Sequence, residues 1–122
     1  MTRETERAIE LLKRARVYVK KGWTRHTAAR DEHGHPVDPH GSTAVKWCAY
    51  GAFHKAIGPG RAVFCRSGRR YANSLLNLAA GRLDPWAGSY VEFNERQTRG
   101  KRGQERVVEL FDTAIGIAKR LK

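Results

Sequence analysis

No helix runs through Gly58-Pro59-Gly60. Proline lacks the amide donor and clashes with the preceding turn, and glycine loses the most backbone entropy on ordering. Segments with apolar residues at helical spacing lie on both sides of this break, so the chain has to build its core by packing separate helices. Over residues 4–21, Ala8, Leu12, Ala15 and Val19 recur at intervals of four, three and four, and Ile9 and Leu11 widen the stripe. Glu4 and Glu6 in the first turn and Lys20 and Lys21 in the last complement the helix dipole, and Gly22 is expected to end the helix in the left-handed conformation. A second helix is expected over 43–57, with Ser42 as N-cap and an apolar face of Val45, Cys48, Ala49, Ala52, Phe53 and Ala56. A third over 69–80 buries Tyr71, Leu75, Leu76 and Leu78 and stops at Gly81. A last, over 104–121, repeats Val107, Phe111, Ala114, Ala118 and Leu121.

The connections carry turn chemistry. Asp31-Glu32-His33-Gly34 predicts a turn between 27–30 and 35–37, hence a short β-hairpin or ordered loop after the first helix. Asp84-Pro85 and Gly88 make 83–90 a loop, expected to be anchored by Trp86. Two of Trp23, Trp47 and Trp86 are expected to be buried, because large aromatics dominate the core of a small domain. The expected fold is therefore mainly α: about four helices packed around a central helix carrying Trp47 and Cys48, in a single domain spanning 1–122. No apolar run reaches the roughly 18 residues of a membrane span, and the N-terminus leads into a charged helix rather than a signal peptide. No membrane partner and a cytoplasmic location are expected. Cys48 and Cys65 are too few for a disulfide scaffold and lack C-x-x-C spacing, so two reduced thiols are expected.

Charge points to the class of partner. Basic residues number 24 against 12 acidic, a formal net charge of +12. Residues 39–83 hold seven basic residues and no acidic one. Sixteen of the basic residues are Arg, whose planar fork suits phosphate and carboxylate better than a Lys point charge does. An acidic partner is expected, nucleic acid or nucleotide phosphate first and an acidic surface of a host protein second.

Within that stretch, Arg66-Ser67-Gly68-Arg69-Arg70-Tyr71 ranks first as a binding site. A Ser-Gly pair before a helix offers free backbone amides along the positive end of the dipole, and the arginines add bidentate donors. Arg61 lies upstream on a Gly-flanked loop, and Tyr71 offers a face for stacking a base. The bland alternative is an N-capping Ser67 with solvated arginines. A second basic run, with Arg99, Lys101 and Arg102, reads equally as a phosphate-tracking tract or as a mobile surface loop.

Two catalytic or metal readings are weaker. Cys48 one turn into a helix has the placement of a papain-like nucleophile, because the helix dipole lowers a thiol pKa. It shares a face with Val45 and Ala52, however, and no histidine follows in a downstream strand, so a buried structural thiol is favoured. His33, His35 and His40, with Asp38 or a Cys, fit no standard zinc spacing, and neither metal nor cofactor is expected.

Taken in order, Gly22-Trp23, Ala29-Arg30-Asp31, Pro36-Val37-Asp38-Pro39, Trp47-Cys48-Ala49-Tyr50-Gly51-Ala52 and Phe93-Asn94-Glu95 make the chain similar to a domain-of-unknown-function family of small bacterial and phage proteins. That family carries Gly-Trp, Arg-Asp-x-x-Gly, Trp-Cys-x-x-Gly-Ala and Trp-Asn-Asp motifs. This chain has Phe93-Asn94-Glu95 in place of the last. The resemblance allows a phage or mobile-element accessory role, such as inhibiting a host defence or capturing a nucleotide. The expected function is non-enzymatic binding of a phosphate-bearing ligand, with a cysteine hydrolase using Cys48 and a protein-binding module as alternatives.

Overall fold

A computed structural model describes residues 2–58 and 66–120, with Arg66 placed by its backbone. Arg61 and Cys65 lie outside the described residues. The first helix, α1, spans Arg3–Lys21, and Thr2 caps it by accepting from the Thr5 amide at 3.1 Å. Its stripe of Ala8, Ile9, Leu11, Leu12, Ala15 and Val19 is buried, as the spacing predicts. α1 packs against α2 (Ala49–Ile57), α3 (Arg66–Leu83) and α5 (Lys101–Arg120), so it, and not the helix after Trp47-Cys48, is the centre of the bundle. Phe93, Phe111, Leu75, Leu76 and Leu110 fill the space around it.

The expected mainly helical class holds, with a two-stranded antiparallel sheet after α1: β1 (Ala29–Arg30) pairs β2 (Lys46–Trp47), with Ala29 opposite Trp47. The expected turn at 31–34 is present. Asp31 Oδ1 accepts from the His33 and His35 amides, both at 2.9 Å, and Gly34 takes φ +85°. Those bonds, first the one from His35, hold the Asp31 carboxyl below its ordinary value.

Several boundaries differ from expectation, each for a physical reason. The second helix does not begin at 43. The amides of Val45, Trp47 and Cys48 donate to the carbonyls of Arg30 (2.9 Å), Gly22 (2.9 Å) and Ala28 (3.1 Å). A helix needs those same donors, so tertiary strand pairing wins and Cys48 becomes the N-cap. Val45 is consequently exposed instead of lying on an apolar face. Gly22 is extended (φ −174°) rather than left-handed, because its carbonyl is taken into this ladder. Gly51 lets the start of α2 approach the hairpin, since a Cβ there would run into the Ala28 carbonyl.

α3 begins at Arg66 instead of 69, so Ser67 and Gly68 lie in its first turn, and it runs past Gly81 to Leu83. The stop comes from Pro85, which disfavours helix at Asp84. Leu78, expected in the core, is 49% exposed, and Tyr71 is only half-buried. Trp86 does not anchor its loop: it is 82% exposed, and buried Ala87 does that work with Asp84, which accepts from the Ala87 amide through its carbonyl and from Arg96 Nε (2.6 Å) through its side chain. That arginine holds the Asp84 carboxyl below its usual value. A short helix, α4 (Tyr90–Glu95), follows, with Ser89 Oγ accepting from the Glu92 amide at 3.1 Å. Six residues are too few to show a period, which is why the spacing does not predict it. Of the three tryptophans Trp47 is buried and Trp23 is half-buried against the core.

Candidate anion-binding sites

α2 and α3 meet at a cavity of about 460 Å³ lined by Phe53, His54, Arg69, Arg70, Asn73 and Ser74. Residues 69, 70, 73 and 74 fall on one face of α3, because positions three and four apart are neighbours on a helix. His54 comes from the last turn of α2, where its ring lies tilted against Tyr50 at a centroid distance of 4.2 Å. Among the described residues no carboxylate pairs with Arg69 or Arg70, and Arg69 Nε is shielded from solvent without a hydrogen-bond partner. Burial pushes the His54 imidazole below its ordinary pKa, and the nearby charges of His40 and Arg69 push it further.

This shift has a sign. The folded state holds His54 less readily protonated than the unfolded chain, so its stabilising contribution is complete above the ordinary pKa of 6.5 and is lost as pH falls below it. A bound anion reverses the preference by favouring the imidazolium. If a strand of phosphate diesters, whose charge is constant over this range, occupies the cavity, it is expected to bind more tightly at about pH 6 than at about pH 8, and His54→Gln to flatten that dependence. Titration of affinity against pH in both proteins checks this, and identical profiles would exclude His54 from the site.

A second cavity, of about 420 Å³, is lined by Arg25, Arg30, Lys46 and Arg99 with Trp23 and His26 among its walls. Beneath it Asn94, almost fully buried, ties three segments together. Its Oδ1 accepts from Trp23 Nε1 (2.8 Å) and the Ala49 amide (2.9 Å), while Nδ2 donates to Glu95 Oε2 (2.9 Å) and, more weakly, to the Thr24 carbonyl (3.4 Å). Trp23 lies flush on α5 because residue 103 is glycine: a Cβ there would enter the indole. The stretches that carry the family resemblance, around Trp23, Arg30, Cys48 and Asn94, meet here although none is near all the others in sequence.

The sequence-predicted residues divide. Arg69 and Arg70 share the α2–α3 cavity, Ser67 and Gly68 lie in the first turn of the same helix, and Tyr71 packs on the core. Arg99, Lys101 and Arg102 line three different depressions, none of which includes Arg69 or Arg70. Arg102 shares its depression with Arg96 and Arg106 as well as with Glu105 and Glu109, of which Glu109 pairs with Arg106. Sequence reasoning did not place His54, Arg25 or Arg30 in an anion site, because none of them belongs to the basic runs it singled out; Arg30 and Asn94 did stand in the motif stretches.

Cys48 is not one turn into a helix but at its N-cap, 6% exposed, with Sγ accepting from the Gly51 amide at 3.3 Å. Burial pushes the thiol above its ordinary pKa, outweighing the lowering effect of the Gly51 and Tyr50 amides. Among the described residues no histidine hydrogen-bonds it; His26 instead places Nδ1 2.8 Å from Glu95 Oε1. The rings of His33 and His35 are 6.2 Å apart, and no three His, Cys, Asp or Glu side chains gather as metal ligands among the described residues. No described helix is long and apolar enough to cross a membrane.

A family model described as a family of unknown function (DUF6197) matches residues 3–117. Comparison with curated proteins and with solved structures gives no match.

Proposed function

The chain belongs to this family of unknown function, and we propose that it binds a phosphate-bearing ligand, nucleic acid foremost, through the cavity between α2 and α3. The observation that carries this reading is the pair Arg69 and Arg70 beside His54 with no compensating carboxylate among the described residues, in a stretch, 39–83, whose sequence contains no acidic residue. Clustered cations repel one another, and the usual remedy in a folded chain is an interleaved Asp or Glu. Its absence leaves a positive potential that a polyanion satisfies. Arg69 Nε, buried without a partner, marks a donor that a phosphate oxygen relieves. In this reading the protein acts by binding rather than turnover, in keeping with a buried, protonated Cys48.

The test is binding of a short single strand, a duplex and a nucleotide panel at two salt concentrations. Log affinity for a strand is expected to fall linearly with log salt, and Arg69→Ala with Arg70→Ala to lower that slope by about two units. Wild-type protein that binds none of these at low salt would return the charge to a solubility role, and a double mutant whose strand affinity and salt slope are unchanged would remove the α2–α3 cavity from the reading. A protein partner is the second reading, favoured by Trp86 standing 82% exposed.

A further inference from the structure

We propose that the cavity walled by segment 23–30 and Arg99 is a separate site for a terminal phosphate monoester, either a free mononucleotide or the 5′-phosphate end of a strand. Four permanent cations, Arg25, Arg30, Lys46 and Arg99, line a space of about 420 Å³, within the range of small-ligand pockets. No carboxylate is among its described lining residues. Glu95 stands outside the lining but bonded to its wall: Oε1 accepts from the His26 amide at 2.7 Å and faces His26 Nδ1 at 2.8 Å, and Oε2 accepts from Asn94, so it offsets part of the charge without presenting a free carboxylate to the cavity.

The two deeper guanidinium groups are held in place by uncharged acceptors. Arg30 donates through Nε to Thr24 Oγ1 (2.8 Å), through Nη1 to the Gly34 carbonyl (2.8 Å) and through Nη2 to the Arg25 carbonyl (3.3 Å). Arg25 donates through Nη1 to the Gln97 carbonyl (2.8 Å), while its Nε is shielded from solvent with no partner. Neutral acceptors fix the orientation of a guanidinium without cancelling its charge, so the site is preorganised and still electropositive. The backbone is held as firmly: His26 sits at φ +72°, a conformation unfavourable for a residue with a Cβ, and Glu95 clamps it there.

The charge count selects the ligand class. A phosphate monoester carries close to two negative charges at neutral pH, whereas each internal diester of a strand carries one. A compact group of four cations around one cavity discriminates in favour of the dianion, unlike the Arg69 and Arg70 pair, which suits a run of diesters. Trp23, half-buried at the wall, supplies the reporter.

The experiment measures tryptophan fluorescence and calorimetric binding of 5′-AMP, adenosine, and a short strand with and without its 5′-phosphate, at constant ionic strength. Either 5′-AMP or the 5′-phosphorylated strand is expected to bind at least about tenfold more tightly than its unphosphorylated counterpart, and which of the two does so identifies the source. Lys46→Glu with Arg99→Glu, both exposed side chains, is expected to abolish this preference, and Arg99→Ala alone to weaken it. Arg69→Ala with Arg70→Ala is expected to leave it intact, which separates this site from the α2–α3 cavity. Equal affinity for phosphorylated and unphosphorylated ligands, or a preference that survives charge reversal at 46 and 99, would overturn the assignment.

Discussion

Trp47→Ala is expected to lower stability by about 3–5 kcal/mol, whereas Trp86→Ala changes it by less than about 0.5 kcal/mol. Trp47 is 6% exposed, its ring tilts against Tyr18 at 5.1 Å, and its Nε1 donates to the Pro39 carbonyl at 3.0 Å. Its backbone is also the strand that joins Gly22, Thr24 and Ala29. Truncation therefore opens a large cavity and removes the donor of a part-buried carbonyl. Trp86 touches water over most of its surface, so its removal exposes little that was not exposed already. In a domain of this length the larger loss corresponds to a fall in Tm of roughly 10–25 °C. Thermal melts of the two variants side by side decide the matter, and similar losses from both would contradict the placement of Trp86.

The long helices were legible because each repeats its apolar stripe often enough for the period to stand out. α1 and α5 bury the side chains that the spacing selects, Ala8 to Val19 and Val107 to Ala118. The start of α2 was not, since local spacing over 43–57 is helical and only amides engaged by Arg30, Gly22 and Ala28 overrule it. Those partners lie 15 to 25 residues away, beyond any local pattern.

The candidate sites show the same division. Arg69 and Arg70 were visible as neighbours in an acid-free stretch, while His54 joins them only because α2 and α3 both pack on α1 and line one cavity. The run at 99–102 failed as a unit because α5 begins inside it, and a helix turns successive side chains by about 100°. Arg99, Lys101 and Arg102 thus face different depressions, and carboxylates one and two turns along α5 offset part of the charge. Arg25 and Arg30, five apart and followed directly by Asp31 and Glu32, form no basic run at all, yet the Arg25 carbonyl and Thr24 hydroxyl orient the Arg30 guanidinium within one cavity.

Asn94→Leu carries the largest expected loss, about 3–6 kcal/mol, because one buried amide satisfies groups from three segments. Leucine keeps the branched shape and the number of heavy atoms, with somewhat bulkier methyl groups, so the change acts chiefly through the lost hydrogen bonds. It leaves Trp23 Nε1 and the Ala49 amide without an acceptor and Glu95 Oε2 without its Asn94 donor, while Glu95 Oε1 keeps the His26 amide. Each orphaned buried group costs about 1–3 kcal/mol. The Ala49 amide matters beyond its count, since it is a free first-turn donor of α2 and Asn94 reaches it from α4. The same substitution loosens the Glu95 clamp on His26 and with it the wall of the Arg25 and Arg30 cavity, while the α2–α3 cavity has no member bonded to Asn94. In protein still folded at low temperature, 5′-phosphate recognition is therefore expected to weaken more than strand binding dependent on Arg69 and Arg70. Melting curves with ligand titrations below the transition measure both effects. A Tm within a few degrees of wild type would show that Asn94 is not the tie between α2, α4 and the segment at Trp23.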